Sequence, residues 1–363
     1  MHQNKYKNPY SPVIIDMKNM IGKISLPLVI LVIVVLAIVA GGIAVWRLDT
    51  TGKTGSKLGP EFSYDLNNYR VIDPCLIKYQ EVKQFATGLN NPRALTVGQV
   101  PEEAIYIAGD NLIVKYTPEG KILSEIKLAQ PPYCLTLNSE GKIFVGLIDH
   151  IQVFSPQGKL LAKWKSPGPD AYLTALAVSK DLLFAADAGQ RIIHQYDITG
   201  KFIKNIGSKN PQRNIPGFVL PSPYFDIAVA PDGLLRVTNP GRHLIEAYTF
   251  DGDREFSWGK ASMAIEGFCG CCNPIHFALM PDGSFVTSEK GITRIKVYDP
   301  EGKFVSVVAG PDQFVEHDRI FNETRSNREL GGLDVAVDSK SRILTLDACT
   351  SQVRIFAPKD KPK

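Results

Sequence analysis

The chain has 363 residues, 44% of them hydrophobic, and its 41 basic and 37 acidic side chains leave a formal charge of +4. This length supports a substantial core in one large domain or in two smaller ones. Acidic and basic residues are interspersed with no long basic run, which excludes a nucleic-acid surface.

The first element in chain order is the uncharged apolar run "ISLPLVILVIVVLAIVAGGIAVW", residues 24–46. About 20 residues of helix cross a bilayer core, so this run is predicted to be a transmembrane helix. Pro27 falls in its first turn, where proline is tolerated, and Trp46 with Arg47 suits the far interface. The polar tail of residues 1–23 is long for a signal peptide, and the run exceeds an ordinary signal core, so an uncleaved anchor is expected over a cleaved signal. Lys5, Lys7, Lys18 and Lys23 precede the span while Arg47, Lys53 and Lys57 follow it. This slight bias leans toward a cytoplasmic tail at 1–23 and a single-pass protein with its main domain outside the cytoplasm, in the periplasm if the source is bacterial. Residues 47–76 form a linker whose "TTGKTGSKLGPE" segment is rich in the residues of a flexible tether.

From residue 77 the sequence repeats. The unit is an apolar strand, a turn, an alternating strand, a polar loop, a third strand ending in an aromatic, a glycine turn and a fourth strand. It is seen in "YCLTLNSEGKIFVGLIDHIQVFSPQGKLLAKW" and "IHFALMPDGSFVTSEKGITRIKVYDPEGKFVSVVAG". Six such units follow one another, with Gly120, Gly158, Gly200, Gly252 and Gly302 at the hairpin turns, where positive φ is needed. Their spacing of roughly 40 to 50 residues is that of a four-stranded propeller blade. The last unit has three strands, and "KYQEVKQFATG" ahead of the first is an unassigned strand, so pairing the two would close the ring.

The chain is therefore predicted to be all-β: a six-bladed β-propeller over 77–359, preceded by one N-terminal transmembrane helix and ended by a short tail, 360–363. The blades resemble NHL repeats, in the NHL/TolB-like group of propellers, as in "AADAGQRIIHQYDITGKFI" and "VTNPGRHLIEAYTFDG". Asp187 and Asn239 stand where that family often places an acidic or amide residue. The resemblance implies the fold and leaves the job open, because propellers host hydrolases, lyases, cofactor enzymes and binding platforms.

Long links precede blades four, five and six, so the elaborated loops share one face, where a protein or small-molecule ligand is expected. One of these links holds "GFCGCCNPIHF", residues 267–277, which concentrates Cys269, Cys271, Cys272 and His276, and Cys349 follows in a loop on the same face. Three chemistries suit this set: disulfides such as Cys349 with one of the cluster; a zinc, copper or iron–sulfur site built on Cys269, Cys271, Cys272 and Cys349 with His276; and a thiol activated by His276. The spacing lacks the CxxC signature of common zinc and ferredoxin sites, and no CxxCH supports covalent haem.

At the start of the innermost strands, blades four, five and six carry Asp226, His276 and Asp334. These face the channel mouth, either as backbone-bonding acids with a solvated imidazole or as a divalent-metal site. The second arrangement resembles in placement the calcium or zinc site of gluconolactonase-like propellers, although that family's glutamate and asparagine ligands have no counterparts here. The leading expectation is thus a membrane-anchored binding or scaffold module with a cysteine-rich face, the alternatives being a metal- or iron–sulfur-bearing redox protein and a metal-dependent hydrolase.

Overall fold

The structure, a computed structural model, describes residues 25–47, 67–98, 103–323 and 331–359. The tail at 1–23, the tether at 50–61 and the last residues, 360–363, lie outside the described residues.

One helix, Leu26–Arg47, stands as its own unit. It has a mean hydropathy of 3.3, no buried residue and no charge before Arg47. At 1.5 Å per residue it is about 33 Å long, enough to cross a membrane.

The second unit is a six-bladed propeller of six four-stranded antiparallel sheets. Blades one to five each use four consecutive strands, spanning 92–127, 134–163, 173–206, 227–258 and 276–309. Blade six combines Leu333–Val337, Ile343–Asp347 and Gln352–Pro358 with Tyr79–Ala86, the first strand of the chain. The closing pair runs from Tyr79 opposite Pro358 to Ala86 opposite Gln352. Arg354 crosses the seam to Glu81, with Nε 3.0 Å from the carboxylate. Closure from both ends leaves neither terminal strand as an open inner edge.

Burial explains the strand order. Second strands such as Ile105–Gly109 and Ile143–Gly146 are buried throughout, because neighbouring blades cover both of their faces. Fourth strands such as Ile122–Lys127 and Leu160–Lys163 are almost entirely exposed at the rim and carry Lys and Glu, which discourage edge-to-edge pairing. Residues ahead of the closing strand are also packed: Lys78 N–H donates to the Val307 carbonyl at 3.1 Å, and Arg70 pairs with Asp318. The Ile72 side chain occupies the space beside Gly310.

Glycine at the outer hairpins has a second cause besides positive φ. A Cβ at Gly302 (φ +82°) would lie 2.2 Å from the Trp258 ring of the preceding blade, and one at Gly200 (φ +95°) 2.5 Å from Trp164. Each of these tryptophans is thus seated against the next blade's bare backbone. Gly302→Ala is expected to cost about 1–3 kcal/mol by overpacking, beyond the backbone strain that Gly291→Ala (φ +87°, open space) introduces alone. Urea unfolding of both variants checks this, and equal losses would refute the wedge.

Candidate functional site

The first strands of all six blades line an axial channel of about 400 Å3. At one end each blade contributes a side chain to a hollow of about 70 Å3: Arg93, Tyr133, Tyr172, Tyr224, His276 and Asp334, from blades one to six in order. All lie within three residues of the start of an inner strand, the point at which the chain passes from link to ladder. The rings touch edge to face, Tyr133 on Tyr172 at 5.2 Å and Tyr224 on His276 at 5.5 Å. Arg93 stacks over Tyr133 and the Lys290 ammonium over Tyr224, each at 4.3 Å.

The structure brings Asp226, His276 and Asp334 together. His276 Nδ1 is 3.3 Å from Asp226 Oδ2 and 3.7 Å from Asp334 Oδ1. Both carboxylates also tie blades to one another. Asp226 accepts the N–H of Ile227 at 2.8 Å and of Phe277, in the next blade, at 3.0 Å. Asp334 accepts Val335 N–H at 2.8 Å and, across the ring junction, Leu95 N–H in blade one at 2.7 Å. Burial works against a charge on His276, yet the bond to Asp226 and the charge of Asp334 outweigh it and raise the imidazole above its ordinary value. Burial pushes the Asp334 carboxyl up to about 6, against the pull of His276, with the Asp226 charge adding to the rise. The mouth therefore sets an imidazole, shifted toward its protonated form, between two acidic side chains.

The sulfurs do not gather into one site. All six cysteines are free thiols. Cys271 and Cys272 sit with sulfurs 3.4 Å apart, the first exposed and the second buried. Burial would raise the Cys272 thiol, but the Ser222 hydroxyl, the Lys290 ammonium and the Cys271 thiol together bring it below its ordinary value, while the shared bond raises Cys271. Cys269 lies apart among buried charges and is raised, by burial first and by Glu289 second. Among the described residues, one group of three or more His, Cys, Asp or Glu side chains has donor atoms mutually within 4.8 Å, and it is His317, Asp347 and Cys349. Cys349 thus stands with His317, and the set Cys269, Cys271, Cys272, Cys349 and His276 forms no such group, nor do Asp226, His276 and Asp334. Of the remaining two thiols, Cys134 is buried in the core as the first residue of blade two's inner strand, and Cys75 is exposed ahead of the closing strand.

What holds the cysteine link is a buried ion cluster. Glu289, at the end of blade five's second strand, accepts the Cys269 N–H at 3.0 Å and pairs with Arg294 at 2.7 Å and Lys296 at 3.0 Å, all essentially without exposure. Lys296 also donates to the carbonyls of Ile265 and Gly267, and burial lowers its ammonium to about 8 despite Glu289. Asp187 plays the same part in blade three, accepting the N–H of Tyr172 and Gln190, and Asn239 in blade four, accepting that of Val219.

Comparison with known proteins places the fold and no more. No family model and no curated protein matches the chain. Among solved structures, a streptogramin B lyase is similar at TM-score 0.52 and 14% identity, covering 77% of this chain and 98% of its own. A virginiamycin B lyase from Staphylococcus aureus is similar at 0.51 and 15%, covering 77% and 100%. The WD40 propeller domain of Doa1 is similar at 0.51 and 16%, covering 74% and 79%. At these identities the shared property is the β-propeller itself.

Sequence reasoning found the acid–imidazole trio and missed Arg93 and the three tyrosines around it. Their signal was present, since all four recur within three residues of the start of an inner strand, but aromatic residues beside apolar strands look like core. Two outcomes follow. The His276 titration midpoint, followed by NMR, is expected above 6.5 in the wild type and lower in Asp226→Asn, where burial loses its main opponent; an unchanged midpoint would remove Asp226 from the account. Glu289→Gln strands two buried cations and is expected to cost about 3–5 kcal/mol in denaturant unfolding, a loss that a surface-like effect under 1 kcal/mol would contradict.

Proposed function

We propose that this protein is a membrane-tethered, extracytoplasmic propeller of the NHL-like kind that binds a small aromatic organic acid at the mouth of its axial channel. The observation that carries this reading is the ring of one side chain from each blade, three of them tyrosines, around a hollow open to the channel. Arg93 and Lys290 supply positive charge there, beside the His276 imidazole. The Asp226 and Asp334 oxygens that face them are already engaged by backbone N–H groups of two blades each. An aromatic body meets tyrosine edges and faces, and a carboxylate meets the cations. A hydrolase or a lyase, the activity in the names of two similar structures, needs a base at this position. His276, bonded to Asp226 and drawn above its ordinary value, is shifted toward the donor form, which supports binding over that chemistry.

The test uses the full chain in detergent with benzoate and 4-hydroxybenzoate as probes and benzyl alcohol as the neutral comparison, read by calorimetry. Saturable binding of the acids is expected, weakened about tenfold or more by Arg93→Ala, since a charge-assisted hydrogen bond contributes about 1.5–3 kcal/mol. Lys121→Ala on the outer rim should leave it unchanged. Equal binding of acid and alcohol, or of wild type and Arg93→Ala, would sink the assignment.

A further inference from the structure

A second cluster lies away from the mouth and is independent of that reading. The link before blade six contains a helix, Val315–Glu323, which lays His317 against the end of the blade's second strand. There His317 Nδ1 is 2.8 Å from Asp347 Oδ1, and the same oxygen accepts the N–H of Cys349 at 2.9 Å and of Thr350 at 3.3 Å. His317 and Asp347 are buried, while Cys349 is half-exposed at the wall of a cleft of about 450 Å3 that also involves Gln84, Phe314 and Arg354.

The other charged groups around this cluster are already committed. Arg354 is tied to Glu81 across the closing seam, Glu316 to Arg319, and Asp318 to Arg70 and Thr293. Imidazole, carboxylate and thiol are therefore left facing each other with donor atoms mutually within 4.8 Å. A tetrahedral zinc ion, with bonds of about 2.0 Å to nitrogen or oxygen and about 2.3 Å to sulfur, sets its donors roughly 3.3–3.6 Å apart. The His317 and Asp347 donors, 2.8 Å apart, need to open slightly, and any donors at the 4.8 Å limit need to close by about 1.2–1.5 Å to reach that spacing. A thiol in the set disfavours magnesium and calcium, which take oxygen ligands, and favours zinc and its soft neighbours.

We propose that His317, Asp347 and Cys349 form a binding site for one divalent transition-metal ion of the zinc class, with its fourth position open to the cleft. The ion takes the place of the proton between His317 and Asp347, and that proton and the thiol proton are both released to solvent on binding. Its three ligands join the link helix, the second strand of blade six and the loop after it. A metal here links the last elaborated loop to the blade that closes the ring.

The experiment uses the full chain purified in detergent with reductant, stripped by a chelator and titrated with cobalt(II), followed by zinc competition. One equivalent of cobalt is expected, with the intense visible bands of a tetrahedral ion and a thiolate charge-transfer band that zinc abolishes. Cys349→Ser should remove the thiolate band. His317→Gln should weaken binding by at least about 100-fold, since losing an outer partner of a ligand alone costs about 10- to 100-fold. The double variant Cys271→Ser, Cys272→Ser should keep both signals. The proposal is overturned if the wild type takes up no stoichiometric cobalt, if the thiolate band survives Cys349→Ser, or if it disappears in the double variant instead. Should Cys349→Ser misfold by near-ultraviolet circular dichroism, iodoacetamide labelling of the wild type decides. Zinc is expected to protect Cys349 selectively, and equal labelling with and without zinc overturns the site.

Discussion

The face that carries the unusual chemistry depends on one recurrent interaction: a polar side chain at the end of a blade's second strand accepts backbone N–H groups from the loops beside it. Asp187, Asn239 and Glu289 hold the links into their own blades in this way, and Asp347 holds the loop that follows it. Each link leaves backbone donors without a ladder, and burial without a partner costs about 1–3 kcal/mol per group. Long links are tolerated on this face because the strand ends supply the missing acceptors. The acids among them then recruit a basic partner: His194 for Asp187, Arg294 and Lys296 for Glu289, His317 for Asp347. Histidine and cysteine accumulate around these anchors as a consequence of how the loops are fixed.

The architecture was legible because it rests on periodicity. Alternating apolar residues, turn glycines and a leftover strand at each end identify the blades and their closure, and backbone hydrogen bonding makes that solution nearly unavoidable once each strand has a buried face. The register of the blades also placed Asp226, His276 and Asp334 together, since equivalent positions on successive inner strands converge on one axis. The sulfurs were less legible. A tight cluster in sequence, Cys269 to Cys272, implies proximity of Cα atoms and says nothing about side-chain direction. Glu289 draws the Cys269 backbone inward, whereas Cys271 turns outward to solvent. His317 was invisible for a related reason: its partners are set by how a link helix packs, and no repeat constrains that segment.

The mouth trio illustrates how a structural duty shapes a site. Each acid bonds its own strand and the next one, so it welds blades four to five and six to one. Two N–H groups favour the ionised form of a carboxyl at a position where burial favours its neutral form, and two such acids side by side need a basic partner between them. His276 fills that need. Arg93 and Lys290 add positive charge at the mouth from stacking positions over Tyr133 and Tyr224, which is why they bear on what the site attracts.

Three thiol surroundings within one face also separate three chemistries. Cys269 is buried beside a carboxylate and held in its neutral, unreactive form. Cys272, next to Lys290 and Ser222, is drawn toward thiolate and has a thiol neighbour 3.4 Å away. Cys349 shares its space with an imidazole and a carboxylate and so offers a mixed donor set. Reactivity follows thiolate character and access, and metal affinity follows the convergence of donors. Cys271 and Cys272 are thus the pair placed to meet each other, and Cys349 is the thiol placed to share an ion with other donors. The concentration of sulfur that marks this sequence is better understood as separate sites brought onto one face by the length of its links than as one centre.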